Sequence, residues 1–144
     1  MARIKIEIPQ TFQFQTSIPV RITDINYGGH VGNDSILSLI HEARMMFLAN
    51  HGYTEINFGG VGLIMADAGI EFKHELFYGD ELLVSIAVTE FSKISFEIYY
   101  KLEKKTDAGL LLIARAKTGM VCYDYQNRKI AAVPPEVRKT LDAG

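Results

Sequence analysis

The sequence has little cysteine, no tryptophan and no long apolar run. Its single cysteine, Cys122, cannot form an internal disulfide, and there are no Cys pairs of the kind that bind zinc. No apolar run approaches the roughly 18 residues that a membrane span requires. Neither charge sign dominates, because 15 Lys and Arg oppose 17 Asp and Glu, whereas a general nucleic-acid binder carries a strongly basic face. These absences predict no metal site, no membrane span and no nucleic-acid partner.

The start of the chain does not have the pattern of a secretory signal peptide, because Arg3, Lys5 and Glu7 alternate with isoleucines. With 144 residues and no Pro-, Gly- or Ser-rich linker, the chain is predicted to form one domain over residues 1–144. We therefore expect a single-domain cytoplasmic protein. Hydrophobic residues make up 48% of it, which is high for a small monomer and indicates self-association.

A long apolar helix is the clearest predicted element. Residues 35–50 contain no glycine or proline, and apolar side chains cover most of the helix circumference, which is typical of a buried helix. Pro19 suggests a sheet edge or a bend, and residues 134–136 begin a short terminal helix. Strands are predicted over residues 12–23, 61–73, 81–91, 94–102 and 110–125.

The short turns between the later strands predict antiparallel neighbours. One helix cannot cover both faces of such a sheet, so the predicted fold is α+β, a curved antiparallel sheet wrapped around one long central helix. This arrangement leaves edge strands and one sheet face uncovered. We therefore expect a homodimer whose sheets pair edge to edge, with each helix start beside residues of the partner.

The densest set of glycine and polar residues lies over residues 24–33, just before the helix. Unpaired backbone N–H groups and the positive end of the helix dipole meet at such a place, which favours an anion or a developing oxyanion. Gly28 and Gly29 would let the backbone approach a ligand closely. The same segment also fits an ordinary Gly-rich turn with a helix N-cap at residues 33–35, and the pattern leaves both interpretations open.

Other candidate groups are isolated in the sequence. His41-Glu42 begins like a zinc-protease helix, but Met45 breaks the HExxH pattern. Cys122 lies in an alternating strand, where buried packing is the expected role. Asp67 interrupts an apolar strand, so it either faces solvent by simple alternation or provides a functional carboxylate.

The segment before the helix and the helix itself resemble the signature of the hot-dog-fold thioesterases. The residues that carry the resemblance are Asp24, Asn26, Gly29, His30, Val31 and Asn33, followed on the helix by Glu42, Ala43 and Arg44. Residues 72–82 and 130–138 resemble later parts of the same pattern, in the same order. The nearest group is the 4-hydroxybenzoyl-CoA thioesterase-like enzymes. The resemblance implies a hot-dog fold and hydrolysis of an acyl-CoA or acyl-carrier-protein thioester.

One departure from the family concerns its catalytic acid. The second acidic position of the signature commonly carries the catalytic carboxylate, and here Asn26 occupies it. An amide cannot accept a proton at neutral pH. Three hypotheses follow: Asn26 orients water or the carbonyl while another carboxylate acts as base, catalysis is weak, or the chain binds an acyl thioester without turnover.

The resemblance implies catalytic roles for residues at the helix start. Backbone N–H groups of Gly29, His30 and Val31 would polarise the thioester carbonyl, while Asn26 and His30 orient the carbonyl or water. The candidate bases are Asp24, Glu42 and Asp67, of which Glu42 or Asp67 would reach across a dimer interface. A hot-dog dehydratase, which would use His30 and an acid from the opposite subunit, is a further alternative.

Substrate contacts are also implied by the resemblance. CoA enters only as part of the substrate, no metal or other cofactor is required, and the homodimer is expected to pair into a dimer of dimers. The predicted substrate contacts are Tyr27 and Asn33 at the helix start, Ile36, Ile40, Leu63 and Met65 along the acyl chain, and Lys93, Arg128 and Lys129 at the CoA phosphates.

Overall fold

The structure is a computed structural model that describes residues 3–142. A short 3-10 turn, Ile22–Asp24, follows the first strand. The helices and strands in chain order are β1 (Phe14–Pro19), α1 (Asn33–Asn50), β2 (Gly62–Phe72), β3 (Glu81–Thr89), β4 (Ser95–Thr106), β5 (Gly109–Asp124), β6 (Lys129–Ile130) and α2 (Pro135–Leu141).

The strands form one antiparallel sheet in the order β1-β3-β4-β5-β2, with the short β6 paired to β5. β1 and β2 are therefore at the two ends of this order. Pro19 pairs with Glu81 at the end of β1, which confirms the predicted edge position of this proline.

Helix α1 packs against this sheet with its apolar side. Ile40, Ala43 and Phe47 are fully buried, and the Phe47 ring lies 5.6 Å from the ring of Phe14 in β1. The sheet contributes the alternate side chains that face α1, such as Ile98 in β4. The predicted α+β architecture, one antiparallel sheet around one long apolar helix, is confirmed.

The start of α1 differs from the prediction. The helix begins at Asn33 rather than at residue 35, and its N-cap is Gly32, which provides no side chain. Of the two interpretations that the sequence leaves open for this segment, the one with a side-chain N-cap at residues 33–35 is therefore wrong. As a result, no side chain of residues 3–142 caps the backbone N–H groups of the first turn.

Two strand boundaries also differ. β1 ends at Pro19 because the chain then turns into the 3-10 segment, where the Arg21 N–H donates to Asp24 Oδ2 at 2.9 Å. β4 continues to Thr106, past a register shift after Leu102 that the alternating pattern does not reveal. The short β6 was not predicted.

Strand β2 exposes its middle. Residues 64–68 are all exposed, although the side chains of Ile64 and Met65 are large and apolar. The structure thus has an apolar stretch at one edge of its sheet. Within residues 3–142, neither helix has the length and hydropathy needed to cross a membrane.

Candidate active site

A tight hairpin of residues 25–31 leads into α1. Ile25 and Val31 form an isolated antiparallel bridge, and the Asn26 N–H donates to the His30 carbonyl at 2.9 Å. The Gly29 N–H donates back to the Asn26 carbonyl at 3.1 Å. Gly29 has φ of 85°, a conformation that side chains disfavour, so the turn requires glycine there.

Asn26 and His30 converge over Gly28. Asn26 Oδ1 accepts a hydrogen bond from the Gly28 N–H at 2.8 Å. A Cβ added to Gly28 would lie 3.2 Å from Asn26 Oδ1 and 3.5 Å from His30 Nε2. Because Gly28 has no side chain, the space between Asn26 Oδ1 and His30 Nε2 stays open. The structure brings together the pair that the sequence predicted to orient carbonyl or water.

His30 has one ring nitrogen bound and the other directed at a carboxylate. Its Nδ1–H donates to the Val31 carbonyl at 3.0 Å, which leaves Nε2 as an acceptor in the neutral ring. Nε2 lies 3.8 Å from Oε1 of Glu75. A water molecule could bridge a gap of this length. Nε2 of the neutral ring and the carboxylate oxygen are both acceptors, so the two groups attract each other directly only when Nε2 carries a proton.

Glu75 was missed by the sequence analysis. It lies in the loop between β2 and β3, far from His30 along the chain. The only sequence signal for Glu75 is that it lies within residues 72–82, which resemble the family pattern. That resemblance implies no role for Glu75.

A cleft of about 230 Å³ lies at the start of α1, and we call it the His30 cleft. Asn33 and Ile36, two predicted substrate contacts, line it. Its complete lining is His30, Val31, Asn33, Ile36 and residues 72–76. The cleft therefore combines polar groups at the helix start with an apolar side chain of α1.

The prediction that the N–H groups of Gly29, His30 and Val31 are all oxyanion donors is corrected by the structure. The Val31 N–H donates to the Leu76 carbonyl at 2.9 Å, and the Gly29 N–H is used by Asn26, so neither is a free oxyanion donor. The His30 N–H has no acceptor within residues 3–142. Together with the uncapped first turn of α1, it provides the free N–H groups at this site.

The three carboxylates that the sequence analysis names as candidate bases are absent from the lining of the His30 cleft. Asp24 is buried and its Oδ2 accepts a hydrogen bond from the Arg21 N–H at the 3-10 turn. Glu42 is exposed on α1 near Ile18 and Pro19 of β1.

Asp67 lies on the sheet face opposite α1. Its Oδ1 accepts from the Gly119 N–H at 2.9 Å and lies 3.5 Å from Nζ of Lys117, which also contacts Glu97. Lys117 and Glu97 alternate along their strands with buried residues that face α1. Asp67 therefore faces solvent in the single chain.

The predicted acyl-chain contacts are not equally accessible. Ile40 has 0% and Leu63 4% of its surface exposed, because both pack in the core, so Ile40 offers no surface to a ligand in the single chain. Met65 is exposed and lines a second cleft along α1. Tyr27 is fully exposed at the hairpin tip.

The predicted phosphate contacts are exposed. The backbone carbonyl of Lys93 accepts from the Val133 N–H at 2.8 Å, which places this loop beside the segment after β6. Arg128 lies in the turn between β5 and β6, and Lys129 is the first residue of β6. Their positions leave the prediction of phosphate contacts open to test.

Cys122 is fully buried in β5, as the alternation predicted. Burial raises the pKa of its thiol to about 11. A thiol of this kind is protonated at neutral pH and is a poor nucleophile. Among residues 3–142 there is also no group of three or more His, Cys, Asp or Glu side chains placed to hold a metal ion.

The fold and the His30 cleft together define a class of protein. A sheet around one helix, with free N–H groups and an imidazole beside a carboxylate at the helix start, is an arrangement suited to acyl-transfer chemistry. Residues 20–141 match the family model described as the Thioesterase-like superfamily, and the chain belongs to that family.

Curated relatives with similar sequences agree with this family. The 1,4-dihydroxy-2-naphthoyl-CoA hydrolase of Synechocystis sp. is 32% identical over 127 residues, which cover 86% of this chain and 89% of the relative. A putative esterase of Aquifex aeolicus is 28% identical over 124 residues, or 85% of this chain and 92% of that protein.

Solved structures confirm the hot-dog thioesterase fold. The 1,4-dihydroxy-2-naphthoyl-CoA thioesterase of Synechocystis has a TM-score of 0.77 at 29% identity, over 89% of this chain and 93% of that one. An Asp-to-Asn mutant of 4-hydroxybenzoyl CoA thioesterase, complexed with 4-hydroxybenzoyl CoA, has a TM-score of 0.79 at 18% identity, over 90% of this chain and 98% of that one. At that identity the second likeness concerns the fold alone.

Proposed function

We propose that this chain hydrolyses an acyl-CoA thioester in the His30 cleft. The observation that supports this proposal most directly is the placement of His30 Nε2, 3.8 Å from a Glu75 oxygen and beside free backbone N–H groups at the start of α1. Family membership supports the class of reaction, and this geometry supports the choice of His30 and Glu75 as the residues that perform it.

The proposed reaction uses water as the nucleophile. The water oxygen attacks the thioester carbonyl carbon while His30 Nε2 accepts the proton, and the Glu75 carboxylate stabilises the imidazolium that forms. The tetrahedral intermediate then expels the CoA thiolate, which takes the proton back from His30. The products are the free acid and CoA.

The negative charge on the carbonyl oxygen requires donors. The His30 N–H and the uncapped first turn of α1 are free to donate, and the helix dipole adds positive potential there. Loss of one such donor typically lowers kcat by about two to three orders of magnitude.

Asn26 has an orienting role in this proposal. Its Oδ1 is occupied by the Gly28 N–H, but its Nδ2 has no acceptor in the described part of the chain. Nδ2 can therefore donate to the carbonyl or to the attacking water, as an amide can without accepting a proton.

For the substrate we propose an aromatic acyl-CoA that carries a hydroxyl group. Support comes from several curated relatives, which are 1,4-dihydroxy-2-naphthoyl-CoA hydrolases. CoA is then the leaving thiol, and Lys93, Arg128 and Lys129 are the candidates for its phosphates. We place the reaction in the cytoplasm, with no cofactor beyond the CoA of the substrate.

We further propose that the working unit is a homodimer, paired into a dimer of dimers. The exposed stretch 64–68 of β2 supports edge-to-edge pairing, because an apolar edge strand leaves unpaired backbone groups that a second copy can satisfy. Such pairing is also the route by which Asp67 or Glu42 of a second copy could serve as an alternative base.

A substrate panel with product analysis tests the proposed activity. Purified chain is mixed with acetyl-, palmitoyl-, benzoyl- and 4-hydroxybenzoyl-CoA, and free thiol is trapped with a chromogenic disulfide. We expect thiol release with formation of the free acid. Tight binding without thiol release would instead identify an acyl-thioester binder, and hydration of crotonyl-CoA would identify a hydratase.

A further inference from the structure

A row of side chains on α1 lies beside the exposed edge of β2, and nothing in the proposed reaction uses it. Together with Met65 of β2, these side chains line a cleft of about 240 Å³. We call the row the α1 stripe, and its members are Asp34, Leu37, Ser38, His41 and Arg44. All of them except Arg44 are exposed. Because Met65 belongs to both, the α1 stripe and the exposed stretch 64–68 of β2 form one continuous surface.

Arg44, at one end of the stripe, is the unusual member, because only 5% of its side chain is exposed. Its Nε donates to Glu55 Oε2 at 3.0 Å, and its Nη1 donates to the Tyr100 hydroxyl at 3.2 Å. Burial by itself would lower the pKa of Arg44, but the attraction and hydrogen bonds of Tyr100 and Glu55 raise it above the usual value. The guanidinium is therefore charged and held in one orientation.

One donor of this guanidinium is unused. Nη2 of Arg44 has no acceptor among residues 3–142. In that same range no fully buried side-chain nitrogen or oxygen lacks a partner, so Nη2 reaches the open space of the cleft that Arg44 lines. Glu55 does not supply the missing acceptor, because its other oxygen lies 2.6 Å from Nε2 of His41. The acceptor for Nη2 is therefore water or a group of a second molecule.

The opposite end of the stripe carries the complementary group. Asp34 lies exposed in the first turn of α1, and its carboxylate has no hydrogen-bond or ion-pair partner in the described part of the chain. Arg44 follows Asp34 after ten residues of the same helix, which is about 15 Å along the helix axis. A free acceptor and a free donor thus lie at the two ends of one surface.

Such a surface complements itself in an antiparallel arrangement. The stripe has a spacing of three, four and three residues, which reads the same in both directions, at Asp34, Leu37, His41 and Arg44. A second α1 that runs antiparallel about the middle of the stripe therefore places Asp34 against Arg44 and Arg44 against Asp34 at the same time. The small Ser38 lies near the centre, where two packed helices approach most closely.

The edge of β2 requires the same arrangement. Within residues 3–142, β2 pairs only with β5 and leaves the other side of its backbone unpaired. An antiparallel pair of β2 strands from two copies has a two-fold axis perpendicular to the sheet, which keeps both α1 helices on one face and makes them antiparallel. The strand edge and the α1 stripe therefore predict one geometry from two different features.

We propose that the α1 stripe binds the α1 stripe of a second copy of this chain, with Asp34 of each copy accepting a hydrogen bond from Arg44 Nη2 of the other. This inference rests on the homodimer of the proposed function and adds the residues that fix its register. Charge-assisted hydrogen bonds are short and strong, and the two-fold axis forms two of them. Because Asn33 precedes Asp34 and lines the His30 cleft, α1 of the second copy then borders that cleft.

Sedimentation equilibrium tests the ion pair through the dissociation constant of the dimer. Asp34→Lys sets like charges against Arg44 at both ends of the interface and should raise this constant by about 100-fold or more. Asp34→Glu keeps the carboxylate and should change it by about tenfold or less. Asp107→Lys makes the same charge change in the exposed turn between β4 and β5, and as the matched control it should leave the constant unaltered.

A cross-linking variant tests the register without changing a charge. In the antiparallel arrangement the two copies of residue 38 are offset by about 3 Å along the helix axes, and the two copies of residue 46 by about 21 Å. Met46 is exposed on the side of α1 that faces β1, and the native Cys122 is buried. A short bis-maleimide should therefore join Ser38→Cys chains into covalent dimers and leave Met46→Cys chains as monomers on a denaturing gel.

The outcomes separate this inference from the proposed activity, because neither measurement depends on thiol release. A wild-type monomer at micromolar concentration overturns the homodimer and this inference together. A wild-type dimer that folded Asp34→Lys weakens no more than Asp107→Lys overturns the α1 stripe as the interface while the thioesterase proposal stands. If circular dichroism shows Asp34→Lys to be unfolded, cross-linking decides, and a dimer that Met46→Cys joins and Ser38→Cys does not overturns the inference.

Discussion

At the residue scale, Tyr99 and Tyr100 are neighbours in β4 whose hydroxyls face opposite sides of the sheet. Tyr100 is fully buried, accepts from Arg44 Nη1 and lies 2.7 Å from Thr118 Oγ1, whereas Tyr99 donates to Glu97 on the outer face. Tyr100→Phe leaves buried partners unsatisfied and should lower the free energy of unfolding by about 1–3 kcal/mol. Urea denaturation measures the change, and Tyr99→Phe should cost less than about 1 kcal/mol. Equal costs for the two variants would contradict this account of the buried network.

Cys122 allows a second prediction at this scale. With a pKa of about 11, only about one thiol in a thousand is ionised at pH 8, against roughly a quarter of ordinary exposed thiols. The thiolate fraction rises only as the pH approaches that value. We therefore expect a chromogenic disulfide to label the native chain very slowly and the chain in guanidinium within minutes. Rapid labelling of native chain at one thiol per chain would contradict the burial of Cys122.

The candidate site was predictable only where a local pattern determines it. Asn26 and His30 converge because both belong to one short hairpin, whose glycines are visible in the sequence. Glu75 reaches His30 through the folding of a distant loop, which no spacing reveals. The face of Asp67 was unpredictable for another reason: the register shift between Met65 and Asp67 resets the alternation of β2.

At the scale of elements, α1 is the clearest case of sequence determining structure. Its apolar periodicity extends over many residues, so its presence and its buried face were predictable, but its first residue depends on Gly32, which gives no capping signal. The alternation in β4 likewise predicted the strand, and the register shift after Leu102 hid its end.

The packing of α1 can be tested with two adjacent residues. Phe47 is fully buried against Phe14, whereas Met46 is 36% exposed. Phe47→Ala opens a cavity in the core and should lower the free energy of unfolding by about 3–5 kcal/mol. Met46→Ala is the control and should cost less than about 1.5 kcal/mol in the same denaturation experiment. Similar losses of unfolding free energy in Phe47→Ala and Met46→Ala would contradict the placement of α1 in the core.

At the scale of the whole molecule, the high apolar content of the chain and the exposed middle of β2 both support the proposed self-association. Residues 64–68 are exposed in the single chain, and the proposed pairing with a second copy would cover them. Ala66→Lys places a charge in this stretch and should shift the chain from dimer or larger assembly to monomer in light scattering. Ala108→Lys is the control: it places the same charge in the exposed turn between β4 and β5 and should leave the mass of the assembly unchanged. A wild-type monomer at micromolar concentration would contradict the proposed pairing.

The central claim is that the His30 cleft performs thioester hydrolysis, and kcat/KM for thiol release from 4-hydroxybenzoyl-CoA tests it most directly. His30→Ala should lower this value by about 100-fold or more, and Glu75→Gln by about tenfold or more, because they remove the proton acceptor and its stabilising charge. Glu136→Gln, an exposed change on α2, should leave it unaltered. Full activity in His30→Ala and Glu75→Gln, with loss of activity in Asp67→Asn or Glu42→Gln, would contradict the account.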